Sequence, residues 1–393
     1  MSVRRMLLAL VVTLPLGVTA CSDDPRKPAA QPASQAASAS PSPTASVPPF
    51  TFEVGPAAGT KGLPITTEVD TRVTGGTVAS VTLTDDKGKA VEGELRADGS
   101  SWIPAKPLEF ERTYSATVTA KGVRGESESK NTTFTTMARP GGGKVGSGLY
   151  LFNGQTYGTA MPVVVEFESD VPEASRAAVA RRLLVKTTPE QPGRWHWHSP
   201  RMVLYRAEKY WQPGTTISVR SALSGLPIGS KYGDTDRSAT VKIADRSIVI
   251  EVDNANKKMT VLKDGQPIKE LPVSLGKPST PSSSGHMVVM EKAEQTVFDT
   301  RATDGPNGYR VDIQYAQRLT WGGEYIHSAP WSVQQQGNTN VSHGCVNVSE
   351  SNAQWLFQLT MIGDAVIVKG TERTLQKGNG WTAWDIPWDQ YGV

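Results

Sequence analysis

The chain has 393 residues, with 41 basic against 38 acidic side chains and a formal charge of +3. The basic residues are scattered, which excludes the electrostatic footprint of a nucleic-acid binder. The length predicts roughly two to four domains at about 100–200 residues each.

The first 20 residues place Arg4 and Arg5 before an apolar run, Met6 to Val12, and end in Val18-Thr19-Ala20. Charge, length and small residues before the cut make this a signal peptide. The apolar run is too short for a good membrane span. The Val-Thr-Ala run before Cys21 resembles the bacterial lipobox, so Cys21 is the candidate lipidation site. Residues 21–49 are dominated by Ala, Ser, Pro and Gln, a composition that cannot bury enough surface to order itself. Such a tether reaches roughly 30 to 90 Å between random coil and extended polyproline. Two acyl chains on Cys21 give stable anchoring where one is marginal. The expectation is an exported protein held on the outer face of the cell membrane by a flexible leash.

Residues 50–138 alternate as strands do. Ser80 to Leu95 is expected as two short strands around a turn at Asp86-Lys87-Gly88. Thr113 to Val123 puts Tyr114, Ala116 and Val118 on one face, and Trp102 fills a core. This predicts an immunoglobulin-like β-sandwich without a disulfide. Ala138 to Gly143 is a linker by composition, and residues 139–245 form a second module of the same kind. It holds one short helix, with Asp170 and Glu173 expected as its capping box. A weak echo, Thr113-Tyr114 … Val118 against Thr216-Ile217 … Val219, hints that the two modules are related. In Trp195-His196-Trp197-His198, strand geometry puts the tryptophans on one face and the histidines on the other. A metal site needs further ligands at sensible spacing, and no cysteine or acidic cluster lies near. An edge strand or an interdomain face is the preferred reading.

Residues 246–372 form a third, β-rich unit. Ile248, Ile250 and Val252 alternate, a turn follows at Asp253 to Asn256, and Met259 and Val261 alternate again. Tyr309 to Trp321 is strand, and Tyr325-Ile326-His327 ends another. Gln334 to Asn340 is a polar loop, leading to the short apolar stretch Val341 to Val348. Ser351 and Gln354 are expected to box the start of a helix through Leu359. Residues 373–393 are a Trp-rich tail.

With Cys21 lipidated, Cys345 has no partner, and an unpaired thiol in an exported protein is a candidate reactive group. A cysteine nucleophile needs a base, and the base needs a third group to fix its tautomer. Two of the five histidines, His327 and His343, lie within the 18 residues before Cys345. Gly344 removes bulk beside it, and N–H groups around such a glycine can turn toward an oxyanion. The bland alternative has His343 and Cys345 as packing residues on one strand face.

Ser342-His343-Gly344-Cys345-Val346-Asn347, preceded by His327 with 14 residues between His327 and Ser342, resembles the L,D-transpeptidase signature. The order of signal, leash, two immunoglobulin-like modules, catalytic unit and Trp-rich tail resembles the actinobacterial lipoprotein type of that family. The resemblance implies a mainly β enzyme without cofactor or metal, its catalytic unit carrying one or two helices. It acts in the cell wall on peptidoglycan stem peptides, releases D-Ala, forms 3→3 cross-links, and is inactivated by carbapenems. It makes Cys345 the nucleophile and His327 its base, oriented by the main-chain carbonyl of Ser328. The N–H groups of His343, Gly344 and Cys345 are oxyanion candidates. Tyr309 and Trp331 line the donor pocket, and Asn347 supports the loop. His343 reads as scaffold rather than second base. Three alternatives remain open at this point: an L,D-carboxypeptidase, a D-amino-acid exchanger, and a non-catalytic wall-binding spacer.

Overall fold

The computed structural model describes residues 48–305 and 308–392. The expected signal peptide, Cys21 and all but the last two residues of the expected tether lie outside the described residues.

The fold is mainly β, with two immunoglobulin-like sandwiches followed by a third β unit. In the first sandwich one sheet runs Thr51–Gly55, Val69–Thr74, Ser101–Pro104, Gly93–Leu95 in spatial order. The facing sheet runs Thr60–Leu63, Ser127–Thr136, Thr113–Gly122, Gly76–Asp85. Tyr114, Ala116 and Val118 are all buried, and they meet Leu83, Trp102 and Phe134 in the core. The two strands expected around the turn at Asp86 are present, Gly76–Asp85 before it and Gly93–Leu95 after it, but they lie in different sheets. After the turn only Ala90 bridges back to Thr84, and Gly93–Leu95 pairs with Ser101–Pro104 in the opposite sheet. Gly93 permits this, because a Cβ there would stand 2.3 Å from the Trp102 ring.

The second sandwich repeats the plan strand for strand. Ser147–Leu149, Val163–Phe167, Met202–Ala207 and Gly193–Ser199 form one sheet. Thr156–Tyr157, Arg237–Ile243, Thr216–Ser221 and Leu183–Thr188 form the other. In both modules the second strand joins the last in parallel. The echo in sequence thus falls on equivalent strands, Thr113–Gly122 and Thr216–Ser221. Helix Glu173–Arg181 starts later than its expected capping box. Pro172 stands at the N-cap with extended geometry and no side-chain cap. A proline also keeps the residue before it out of helical geometry, so Asp170 is too far upstream to cap. The end of this helix grips the first module: the buried Glu68 carboxylate takes Arg96 at 2.7 Å, Arg181 at 3.2 Å and Arg182.

In the third unit a six-stranded sheet runs Gln266–Pro272, Lys258–Lys263, Ile248–Asp253, Ala365–Lys369, Ser283–Val288, Arg373–Thr374. A four-stranded sheet runs Glu291–Asp299, Arg310–Arg318, Tyr325–Ser328, Val346–Val348. Helix Glu350–Leu359 packs on the latter through Ala353 and Leu356. Its expected capping box is also corrected: Ser349 is the N-cap, and no side chain caps the helix. The extended backbone of Ser349 begins the turn two residues before Ser351.

The tail is not a separate body. Trp381, Ala383 and Tyr391 belong to the second sandwich's core, beside Val203, Leu204 and Trp211. Arg206, itself buried, donates to the carbonyls of Ala383 at 3.0 Å and Ile386 at 2.6 Å. Its guanidinium lies over the rings of Trp384, Trp388 and Tyr391. Carbonyl dipoles and ring faces thus meet most of a buried charge. The Trp-His-Trp-His stretch is an edge strand, and His196 and His198 turn one face to Tyr391 of the tail. Among the described residues no group of His, Cys, Asp or Glu side chains could hold a metal ion.

Candidate active site

Strands Tyr325–Ser328 and Val346–Val348 run parallel, with Ile326 opposite Val346 and His327 opposite Asn347. That register sets Cys345, one step before the second strand, against the start of the first. Between them the chain makes a 3-10 turn, Pro330–Ser332, and a polar loop. The loop is tied down at both ends. Gln336 Nε2 donates to Ala329 O at 3.2 Å, and Asn340 Oδ1 accepts from Leu275 N–H at 3.0 Å.

The result is a cavity of about 460 Å³ whose lining includes Phe298, Tyr309, His327, Trp331, His343 and Cys345. Asn347 also faces it. Its Nδ2 donates to Ser332 Oγ at 3.2 Å, while its buried Oδ1 has no partner within the protein. That oxygen is an acceptor available to a bound amide. Trp331 is more than half exposed at the rim, while Phe298 meets the His327 ring edge-on at 5.4 Å.

His327 is only 3% exposed, and its Nδ1 lies 2.8 Å from Ser328 O. A carbonyl only accepts, so Nδ1 carries the proton and Nε2 is left as a base. Burial pushes the imidazole down to about 4. Burial likewise pushes the Cys345 thiol up to about 12, opposed by the Tyr325 N–H that faces the sulfur. The resting pair is therefore thiol and neutral imidazole. Sulfur can attack only as its proton leaves, which is general-base chemistry rather than a preformed ion pair. The sign gives a prediction. A base with a folded pKa near 4 instead of 6.5 keeps its lone pair well below neutrality. Acylation of Cys345 should hold constant from about pH 8 down to about 5 and fall only near 4. An acid limb centred at 6.5 in a stopped-flow pH series would contradict the buried ring.

His343 is different. It is exposed, its Nε2 accepts from Lys277 Nζ at 3.2 Å, and its ring leans on Tyr309 at 5.1 Å. Gly344 sits at φ +127, a conformation that L side chains rarely adopt. The structure corrects its place among the oxyanion candidates. Gly344 N–H donates to Ser342 Oγ at 3.1 Å, and Ser342 Oγ donates to Cys345 O at 2.7 Å. That N–H is committed within the loop, which takes Gly344 out of the set. Ser282 Oγ adds a bond to Gly344 O at 2.7 Å.

The structure thus brings Cys345, His327, His343, Tyr309, Trp331 and Asn347 to one cavity, with Ser328 behind His327 and Gly344 turning the loop. Sequence reasoning missed Phe298, Ser282, Lys277 and Glu324. Only Glu324 left a signal, a charge immediately before the short strand that carries His327.

The family models divide the chain as its structure does in outline. A bacterial Ig domain matches residues 60–227, and an L,D-transpeptidase catalytic domain matches residues 247–368. L,D-transpeptidase 2 of Mycobacterium tuberculosis is 33% identical over 348 residues, covering 85% of this chain and 82% of that relative. L,D-transpeptidase 1 of the same species is 37% identical over 222 residues, covering 56% of this chain and 82% of the relative. A solved structure of the LD transpeptidase LdtMt1 in complex with imipenem aligns at 33% identity and a TM-score of 0.48, covering 56% of this chain and 97% of that chain.

Proposed function

The chain belongs to the L,D-transpeptidase family, and on that premise we propose that it cross-links peptidoglycan stem peptides through a thioester on Cys345. The observation that carries the reading is His327, buried beside the nucleophile's cavity and held in one tautomer by Ser328 O at 2.8 Å. A tetrapeptide stem enters with its scissile carbonyl at Cys345. The Cys345 proton passes to His327 Nε2 as sulfur bonds to the carbonyl carbon. The tetrahedral intermediate collapses, the D-Ala amine leaves with the proton from His327, and a thioester remains. A side-chain amine of a second stem then attacks the thioester. His327 takes the proton of that amine and returns it to the departing thiolate, and the product is a 3→3 cross-link. Tyr309 and Trp331 supply walls for the stem, and Asn347 Oδ1 accepts one of its amide N–H groups. The exposure of His343 and its bond from Lys277 fit a scaffold role better than that of a base.

Incubation with purified tetrapeptide muropeptides, followed by mass spectrometry, tests this. Dimers with loss of one D-Ala per cross-link are expected. Trimmed tripeptides without dimers would make the protein an L,D-carboxypeptidase. Stems carrying a new D-residue would make it an exchanger, and unchanged muropeptides would favour the spacer reading.

The same proposal places the protein outside the cell membrane, anchored by lipid on Cys21 and acting in the wall. Its support is the Val18 to Cys21 stretch and the Ala/Ser/Pro leash after it. Cys21→Ala is expected to move the protein from the membrane fraction to the soluble one. Equal partitioning of both proteins would refute the anchor.

A further inference from the structure

Glu324 is a carboxylate 6% exposed, and the chemistry above makes no use of it. Its neighbours in the chain are the groups that touch the nucleophile: Gly323 O lies 3.7 Å from Cys345 Sγ, and the Tyr325 N–H faces the same sulfur. The residue between them is anchored on every side. Its N–H donates to Thr320 Oγ1 at 3.1 Å, and its carbonyl accepts from Leu319 N–H at 2.9 Å. Its Oε1 accepts from Ser283 N–H at 2.9 Å and pairs with Arg373. Ser283 follows the serine that holds Gly344 O, and Arg373 pairs with Ser283 across two parallel strands. A Cβ on Gly344 would stand 3.8 Å from Glu324 Oε1 and 3.6 Å from Arg373 Nη2. The pair therefore backs directly onto the turn that carries the nucleophile, and Glu324 Oε2 is buried without a partner.

We propose that Glu324 and Arg373 are a positioning pair for Cys345, holding the segment Gly323 to Tyr325 against the sulfur and balancing the charge behind it. The proposal rests on Cys345 being the nucleophile. An anion close behind a thiol opposes its ionisation, and a cation on that anion relieves the opposition. Glu324 acts on Cys345 in the first sense. The other titratable groups around the sulfur are His327 and Tyr325 on the neighbouring strand, Tyr309 and His343 across the cavity, and Arg318 and Glu291 beyond Tyr325. None of these changes in the variants below.

The test uses the full-length protein and a neutral aromatic disulfide, with labelling at Cys345 read by peptide mass spectrometry near pH 10, on the rising part of the profile below the thiol's own value near 12. There the rate follows the thiolate fraction. Glu324→Gln keeps the shape and removes the anion, so it should label about tenfold faster. Arg373→Gln leaves the anion unbalanced, so it should label about tenfold more slowly, and Arg373→Lys should restore the wild-type rate. A purely structural role would move both glutamine variants in the same direction or neither. Either result overturns the proposal. Should Arg373→Gln fail to fold, Glu324→Gln decides alone: a wild-type rate overturns the pair. A wild-type Cys345 that accepts no carbapenem would overturn both this proposal and the transpeptidase reading. Carbapenem uptake with unchanged labelling rates would overturn the positioning role only.

Discussion

Exposed to a carbapenem, the wild-type protein should gain one drug mass at Cys345, Cys345→Ala should gain none, and His327→Ala should react some 10²–10⁴-fold more slowly, the usual worth of a general base. The strained ring amide of the drug supplies an electrophile that needs no acceptor stem. Ring opening expels no fragment, so the thioester keeps the whole mass. The size of the His327 effect follows from the resting state of the pair. Burial holds the thiol near 12, so almost no thiolate stands ready at pH 7, and the reaction depends on the base. The His327 lone pair is available because Ser328 O holds the other nitrogen protonated. His343, exposed and bonded from Lys277, should cost much less when replaced. Intact-mass kinetics on the three variants checks this. If His343→Ala stops acylation while His327→Ala does not, the base has been assigned to the wrong ring.

A chain ending at Gln376 should not fold at 25 °C, although it keeps every residue that lines the cavity. It lacks Trp381, Trp384, Trp388 and Tyr391, which pack on the second sandwich. Replacing one large buried aromatic with alanine costs about 3–5 kcal/mol. Trp381 and Tyr391 are the two fully buried ones, and losing both costs about 6–10 kcal/mol, as much as the whole stability of many domains, about 5–15 kcal/mol, before the half-buried Trp384 and Trp388 are counted. The loss also strips Arg206 of the carbonyls and rings that meet its charge, and leaves Ala160 O without the Trp384 N–H that it accepts from. By contrast, a chain beginning at Ala138 keeps the second sandwich, the catalytic unit and the tail together. It should unfold cooperatively and retain carbapenem acylation. Thermal unfolding followed by tryptophan fluorescence compares the two, and a cooperative transition for the chain ending at Gln376 would refute the shared core.

What could be read from sequence was what repeats or is local. Period-two alternation marks the strands because side chains alternate across a sheet, and Tyr114, Ala116 and Val118 are buried as that pattern requires. The dense run Ser342 to Asn347 declared the site, because chemistry needs those residue types within a few positions. Both capping boxes failed for one reason. Ser-x-x-Gln and Asp-x-x-Glu patterns describe a local option, and here extended residues at Pro172 and Ser349 set the helix starts instead. Contacts across long separations left no trace in local pattern. Nothing near Glu68 announces Arg181 and Arg182, and nothing near Arg206 announces the tail. The same limit hid the commitment of Gly344 N–H to Ser342 Oγ, since a motif names residues without saying which way their N–H groups point.

Arg206 and the Ala383 carbonyl it holds are 177 residues apart in the chain. A ribosome adding about 5–20 residues per second takes roughly ten to forty seconds to cover that gap. From the synthesis of Arg237–Ile243 onward every strand of the second sandwich exists but the strap that completes its core does not, leaving an apolar face and a cation uncovered. A polypeptide cut short before Trp381 therefore carries Cys345 but lacks the packing that the second sandwich shares with the tail. Residues 381–391 thus make completion of the second sandwich wait on a segment synthesised after the catalytic unit.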